Sequence, residues 1–260
     1  NVAATLPAAK DWRTRFNEVY GLADGQIVKR IAPPFIAERR AFLKGQPTIG
    51  GIPIEQHVLT LEWDGQAKWI SISGSPGSLA EFLQMGVRLK AYELDEWGGK
   101  YSTPIPGDWV VRKDATVEEK LRGLEQVLAE LGHPVHFEKR RVPREVVVVR
   151  GKYAYRTLDD SPVTPGFEIV DVMGKEKRPE RELAITDRTM KAFCQNLEIG
   201  LLRQVIDETG QGDEKIAWRD HHPGSEEIDL VLQKLAWQTA LTFTREKRET
   251  EVWFMVEGKR

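Results

Sequence analysis

Asp108-Trp109-Val110-Val111-Arg112-Lys113, followed by Thr116-Val117-Glu118-Glu119, opens a block that returns later as Lys215-Ile216-Ala217-Trp218-Arg219-Asp220 followed by Ser225-Glu226-Glu227. After the first opening comes a helical stripe of Leu121, Leu124, Leu128 and Leu131; after the second, one of Ile228, Val231 and Leu235. The blocks close on His136-Phe137-Glu138-Lys139-Arg140-Arg141 with Val146 to Lys152, and on Thr242 to Arg248 with Trp253 to Lys259. A repeat distance of about 107 residues is too long for a solenoid and suits a duplicated small α/β module. Each block predicts a strand, a capped helix and a two-stranded hairpin around a basic turn. In the first block that turn falls at Lys139 to Arg144, and Val146 to Val149 continue as a strand buried on both faces.

Working outward, residues 8–20 read as a short amphipathic helix on Trp12, Phe16, Val19 and Tyr20. Ile31-Ala32-Pro33-Pro34-Phe35-Ile36 reads as an extended arm, because proline lacks a donor and restricts its neighbour. His57 to Trp63 and Lys68 to Ser73 alternate as strands, and Asp64-Gly65 between them is a hairpin signal. Ser78-Leu79-Ala80-Glu81 has capping-box spacing. Tyr92 to Gly107 reads as a long loop, and Asp159 to Gly166 as the boundary between halves. Phe167 to Val172 alternates as a strand; Met190, Phe193, Leu197 and Leu201 mark a helix; Val205-Ile206 is a short strand. The predicted fold is α+β: two similar halves, each a mixed sheet with two helices packed on one face. Residues 1–54 form an N-terminal helix and Pro-rich arm, 55–160 the first module, and 165–260 a second that resembles it.

Composition narrows the class. At 40% hydrophobic and 30% charged, the chain belongs with globular rather than disordered proteins. No run reaches the roughly 18 apolar residues of a membrane helix, so this segment is expected not to insert. A formal charge of −2 gives no pull toward nucleic acid. A single cysteine, Cys194, excludes an internal disulfide or a cysteine-rich metal cage, and its place between Phe193 and Gln195 reads as a buried thiol. The chain opens at Asn1 without a signal-peptide pattern, which fits a processed protein or a piece of a longer one.

No Walker loop, dinucleotide fingerprint, Gly-x-Ser-x-Gly or His-Glu-x-x-His is present, so no cofactor, metal or catalytic residue is expected. The densest ligand-type cluster is Asp220-His221-His222, where Pro223-Gly224 marks a polar loop. Asp207-Glu208 could supply paired carboxylates, but Asp-x-Thr-Gly reads more economically as a turn in which Asp207 accepts from Thr209 or Gly210. A hydrolase or metal-dependent enzyme would have to use Asp207, Glu208, His221 and His222 together. Of the tryptophans, Trp97 and Trp109 lie in or beside the long loop and are the candidate binding residues, able to stack on a sugar or a partner peptide. Trp63, Trp69, Trp218, Trp237 and Trp253 fall in strand or helix patterns and read as core.

Thr189-Met190-Lys191-Ala192-Phe193, then Val205-Ile206-Asp207-Glu208-Thr209-Gly210 and Ile216-Ala217-Trp218, resembles an uncharacterised domain abundant in acidobacteria and planctomycetes. That domain carries a "TMxxL" helix, a "VxDxTG" turn and a strand. Leu232 to Leu241 is similar to the helix-to-strand step of short N-terminal domains in secretins and TonB-dependent transporters. Residues 37–113 resemble planctomycete proteins with an "RIAPPF" arm. The likeness covers residues 185–258, with a weaker echo in 78–152, and departs by an insertion between Leu197 and Val205. It implies an extracytoplasmic, envelope-associated or secreted module with no established activity. The expected function is therefore non-enzymatic binding of an envelope protein or peptide, through an open sheet edge.

Overall fold

The computed structural model describes residues 21–31, 47–49, 51–53, 57–65, 67–73, 77–96, 99–105, 107–156, 167–170, 186–220 and 228–258. The expected N-terminal helix, the Pro-rich arm beyond Ile31, the boundary at 159–166, Trp97, His221 and His222 lie outside those residues. The chain is α+β and forms two compact units, Asn1–Arg140 with Val252–Arg260, and Arg141–Glu251. The first unit contains β1 (Val28–Ile31), β2 (Thr48–Ile49), β3 (Ile52–Pro53), β4 (Val58–Trp63), β5 (Ala67–Ser73), α1 (Leu79–Phe82, continued by a π-helical turn Leu83–Val87), β6 (Asp108–Arg112) and α2 (Val117–Glu130). Next comes β7 (Val135–Arg150), whose start belongs to the first unit and whose end belongs to the second. The second unit continues with β8 (Phe167–Val170), β9 (Thr186–Thr189), α3 (Met190–Leu201), β10 (Val205–Asp207), β11 (Lys215–Asp220), α4 (Ile228–Thr239) and most of β12 (Thr242–Glu257).

In the first unit the sheet runs β1-β6-β4-β5 and is mixed: β6 pairs antiparallel with β1 and parallel with β4. The Asp64-Gly65 hairpin is present, with Val58 opposite Ser73 and Gly65 at a φ of +94°. The capping box expected at Ser78 forms, and the expected cap at Thr116 proves to be a second one. Ser78 and Glu81 cap α1, and Thr116 Oγ1 accepts from Glu119 N at 3.2 Å while Glu119 Oε2 accepts from Thr116 N at 2.8 Å. Leu121, Leu124 and Leu128 bury the inner stripe of α2 against Val28, Phe82, Leu83, Trp109 and Trp253. Each such side chain gains roughly 1.5–3 kcal/mol by leaving water. The α2 backbone comes close to β1 at Gly123, where an added Cβ would meet Val28 N at 3.2 Å. Val28–Ile31, just ahead of the expected arm, proves to be an edge strand on β6. Tyr92 to Gly107 is less open than expected: short 3₁₀ turns cover Ala91–Glu93 and Gly99–Ser102, and Tyr101 is fully buried.

In the second unit β11 lies between β8 and β9, antiparallel to both. Thr189 caps α3, which buries Met190, Phe193, Cys194, Leu197 and Leu201. The helix runs on to a left-handed Leu202, and Glu198 Oε1 accepts from Val205 N at 3.1 Å, which settles the junction after Leu197. β10 then pairs parallel with the end of β7, Val205 opposite Val147. α4 turns Val231, Leu232, Leu235, Gln238 and Thr239 inward. Trp237 falls off that stripe and is 47% exposed, so it is not the core residue the sequence pattern predicted. Trp218 is, with its ring 5.4 Å from Phe193.

The two hairpins predicted to close the repeated blocks are absent. Residues 135–150 and 242–257 are each one continuous strand of 16 residues, and the two are neighbours in the sheet β10-β7-β12. Pro143 explains why β7 need not turn. Phe137 N donates to Glu125 Oε1, and Val147 N to Gln204 O, both away from β12. Pro143 shares their parity, so its missing N–H would have faced the same outer side and no rung to β12 is lost.

Candidate functional site

Among the described residues, the side chains that could have carried chemistry are committed elsewhere. Asp207 Oδ1 accepts from Thr209 N at 2.9 Å and from Thr209 Oγ1 at 2.6 Å, and Gly210 follows at a φ of +70°, the turn expected from Asp-x-Thr-Gly. Glu208 turns instead to Arg150 Nε at 2.7 Å and Arg248 at 3.3 Å. The neighbouring carboxylates thus diverge. Among the described residues no three His, Cys, Asp or Glu side chains come together in a metal-holding group. Cys194 is buried, and burial pushes its thiol up to about 12, leaving it a neutral core residue at physiological pH. Trp109 is 1% exposed; its Nε1 donates to Ile105 O and its ring lies 4.4 Å from Phe82. Its faces are therefore taken by the core.

Among the described residues of the first unit, two clefts are large enough to admit a ligand. The larger, about 580 Å³, is lined by Leu79, Ile105, Leu128, Met255, Lys100 and His133, among others. The smaller, about 410 Å³, is lined by Trp63, Asp24, Asp64, Arg112 and Asp114 among others; Arg112 and Asp114 are already paired at 2.7 Å, and Lys113 reaches Asp64 at 3.8 Å. Neither cleft brings a nucleophile and a base together.

The sheet edges are more telling. At β8, Gln238 is 1% exposed and acts as a side-chain rung: it accepts from Ile169 N at 3.2 Å and donates to Ile169 O at 3.3 Å. That edge is shut. At the end of β12, in the first unit, the outer edge is also shut. Trp253 O accepts from Asp95 N at 2.9 Å, Met255 N donates to Tyr101 OH at 3.0 Å, and Met255 O accepts from Lys100 Nζ at 2.8 Å. Tyr101 in turn donates to Asp95 at 2.6 Å, and burial, reinforced by that carboxylate, raises its phenol far above the usual range.

Trp253 and Met255 fix which main-chain groups of β12 face outward, because strand geometry alternates. The alternation holds along the strand. Cross-strand neighbours share parity at one end, where Lys139 covers Trp253 and Arg140 covers Phe254. They do so at the other, where Glu145 bonds Arg245 and Arg150 bonds Glu246. Phe243, Arg245, Lys247 and Glu249 therefore also turn outward. Among the described residues nothing bonds their outer main-chain groups. Their side chains, from Arg245 onward, are exposed.

The site is flanked by ionic networks that stiffen the strand. Arg245 bridges Glu145 at 2.8 Å and Asp229 at 2.9 Å, and Arg203 holds the other oxygen of Glu145 at 3.1 Å. On the opposite face Arg150 pairs with Glu246 and holds its carboxyl down at about 2. Sequence reasoning named an open edge but not this one, because the strand was expected to fold back on itself. The sequence offered no signal for it, since Phe243 is the one apolar residue from Thr242 to Glu251 and no apolar–polar alternation marks the strand. Comparison of the chain with protein-family models, curated proteins and solved structures finds no match in any of the three.

Proposed function

We propose that the chain is a non-enzymatic binding module of the bacterial envelope, which accepts an extended segment of a partner along the outer edge of β12. One observation carries this reading: the same edge that is closed at Trp253 and Met255 has no described main-chain partner from Phe243 to Glu249. Pairing there would satisfy exposed donors and acceptors and ask little of special side chains. The commitment of Asp207 and Glu208 to a turn and to arginines supports binding over a hydrolytic or metal-dependent reaction. The envelope location rests on the resemblance of residues 185–258 to envelope and secreted modules, and the recurrence of strand, helix and long strand supports a duplicated module.

The test is capture from bacterial envelope fractions with the wild-type chain and with Lys247→Pro. Proline removes the outward N–H and leaves the ladder to β7 intact, as Pro143 does in β7. The wild type is expected to retain a specific partner that the variant loses. Equal capture by both, with both folded, would overturn the assignment of the edge.

A further inference from the structure

We infer that the smaller cleft of the first unit is a saccharide site, which takes a neutral pyranose with a C–H face against the Trp63 indole and its hydroxyls on the charged rim. It is a second binding site, independent of the β12 edge. Strand register places the indole. Val58 of β4 and Trp109 and Val111 of β6 turn toward α2 and join its core. Trp63 and Arg112 have the opposite parity and are partners across β4 and β6, so their side chains stand side by side on the other face of the sheet. The sequence pattern reads Trp63 as core, yet it is only half-buried and lines the cleft. Trp109, Trp218 and Trp253 each meet a ring or a cation. Among the described residues no ring, cation or hydrogen-bond acceptor meets the Trp63 indole. A partly exposed aromatic with an unused face and an unused N–H suits a ligand with one apolar side and polar edges.

The walls are fixed by main-chain bonds. Arg112 N donates to Ile27 O at 3.0 Å and Lys113 N to Trp63 O at 2.8 Å, which ties the segments before β1 and after β6 to the sheet. On the third side Gly65 turns the hairpin. The space of about 410 Å³ lies within the roughly 300–1,000 Å³ of small-molecule sites. On the rim, Asp24, Asp64 and Asp114 accompany Arg112 and Lys113. Arg112 donates from Nε and Nη2 to the two oxygens of Asp114, at 2.7 and 3.0 Å, so Nη1 still has donors to offer and each oxygen a lone pair. The pair is a planar array to which adjacent hydroxyls can bond without breaking it. A charged ligand would have to draw one member away from its partner. An anion would also face three carboxylates against two cations, which disfavours acidic or phosphorylated sugars. A wholly apolar ligand would strip water from these groups and return no hydrogen bond. A neutral polyol with an apolar face meets every one of these demands.

The experiment is an NMR titration of the whole chain with maltose, cellobiose and diacetylchitobiose, beside a hexose phosphate and choline. At least one neutral disaccharide is expected to bind. Saturation should pass from the protein to its ring C–H protons, and the Trp63 indole N–H should shift. The affinity should change little between about 0.02 and 0.3 M salt, because no net charge is neutralised. Trp63→Ala should weaken binding by about tenfold or more, and Trp63→Phe by less, since a ring face remains. Asp24 is exposed, so Asp24→Ala tests the rim without disturbing the sheet and should weaken binding several-fold. Lys247→Pro, on the β12 edge, should leave it unchanged. No shift at Trp63 from any of the three disaccharides up to about 50 mM, with the protein folded, overturns the inference. Binding that survives both Trp63→Ala and Asp24→Ala overturns the placement. Salt-sensitive binding of choline at Trp63, with no disaccharide bound, overturns the saccharide class in favour of a cation. Tighter binding of the hexose phosphate than of every neutral sugar would overturn the reading of the rim.

Discussion

Glu246 shows how one side chain couples the two long strands to pH. The Arg150 guanidinium holds its carboxyl at about 2, against an ordinary value of about 4.3 for glutamate. A folded-state value below the unfolded one means that the ion pair's contribution is whole at neutral pH. It is lost as pH falls from about 4.3 toward 2. Glu246→Gln should therefore lower the denaturation midpoint at pH 7, and the two proteins should converge as pH approaches 2. The gap at pH 7 should also narrow in 1 M salt, since the pair is partly exposed. A gap that stays constant from pH 7 to pH 2 would show that the carboxylate's charge is not what matters. No reading of the sequence could have found this pair, because its members lie in different blocks and meet only when β7 and β12 come together. The Asp207 turn was legible, because its donors and acceptor are two residues apart and local chemistry decides the geometry.

Elements were legible where capping or alternation is local, and misread where the deciding neighbour is remote. Ser78 with Glu81, and Thr116 with Glu119, start their helices as spacing predicts. Asp64-Gly65 turns its hairpin. Pro143 beside Arg140, Arg141 and Arg144 looked like a turn, yet it sits mid-strand. What rescues it is the side of the strand it faces, and only the partner strand defines that. The parity argument makes a sharp prediction. Pro143→Ala should be nearly neutral, because no ladder bond is gained. Val142→Pro, one residue earlier, removes an N–H that faces β12 and should cost about 1–3 kcal/mol or more. Thermal melts of the two variants decide it: a Val142→Pro melting temperature equal to that of Pro143→Ala would mean that the register inferred for β7 is wrong. The exposed Trp237 is a milder case. Helical periodicity gives α4 a stripe, but Gln238 takes the inward place because it shuts the β8 edge, and its apolar neighbour is left outside.

At the scale of the whole chain, the order of elements recurs while the strand ends are shared out in a way no sequence pattern announces. β6, α2 and β7 are followed by β11, α4 and β12, with both long strands 16 residues in length. The sheets around them differ, since β6 has one parallel neighbour and β11 has none. A parallel contact recurs at the end of each long strand: β10 lies along Val147 to Val149 of β7, and Leu94 bridges Trp253 of β12. The first unit is consequently finished by residues from the far end of the chain. Trp253 joins its core, and Met255 receives Tyr101 and Lys100. Ending the chain after Glu251 should therefore unsettle the first unit, although the cut is remote from it in sequence. Losing one buried tryptophan alone costs about 3–5 kcal/mol, and Asp95 N and Tyr101 OH would be left without their acceptor and donor. Hydrogen exchange would report the consequence region by region. Amides of Val110, Leu121 and Leu124 should lose protection, while those of Phe193, Leu197 and Ile216 keep theirs. Equal loss in both sets would mean that the chain unfolds as one cooperative body. Retained protection at Leu121 and Leu124 would mean that the end of β12 is not what completes the first core.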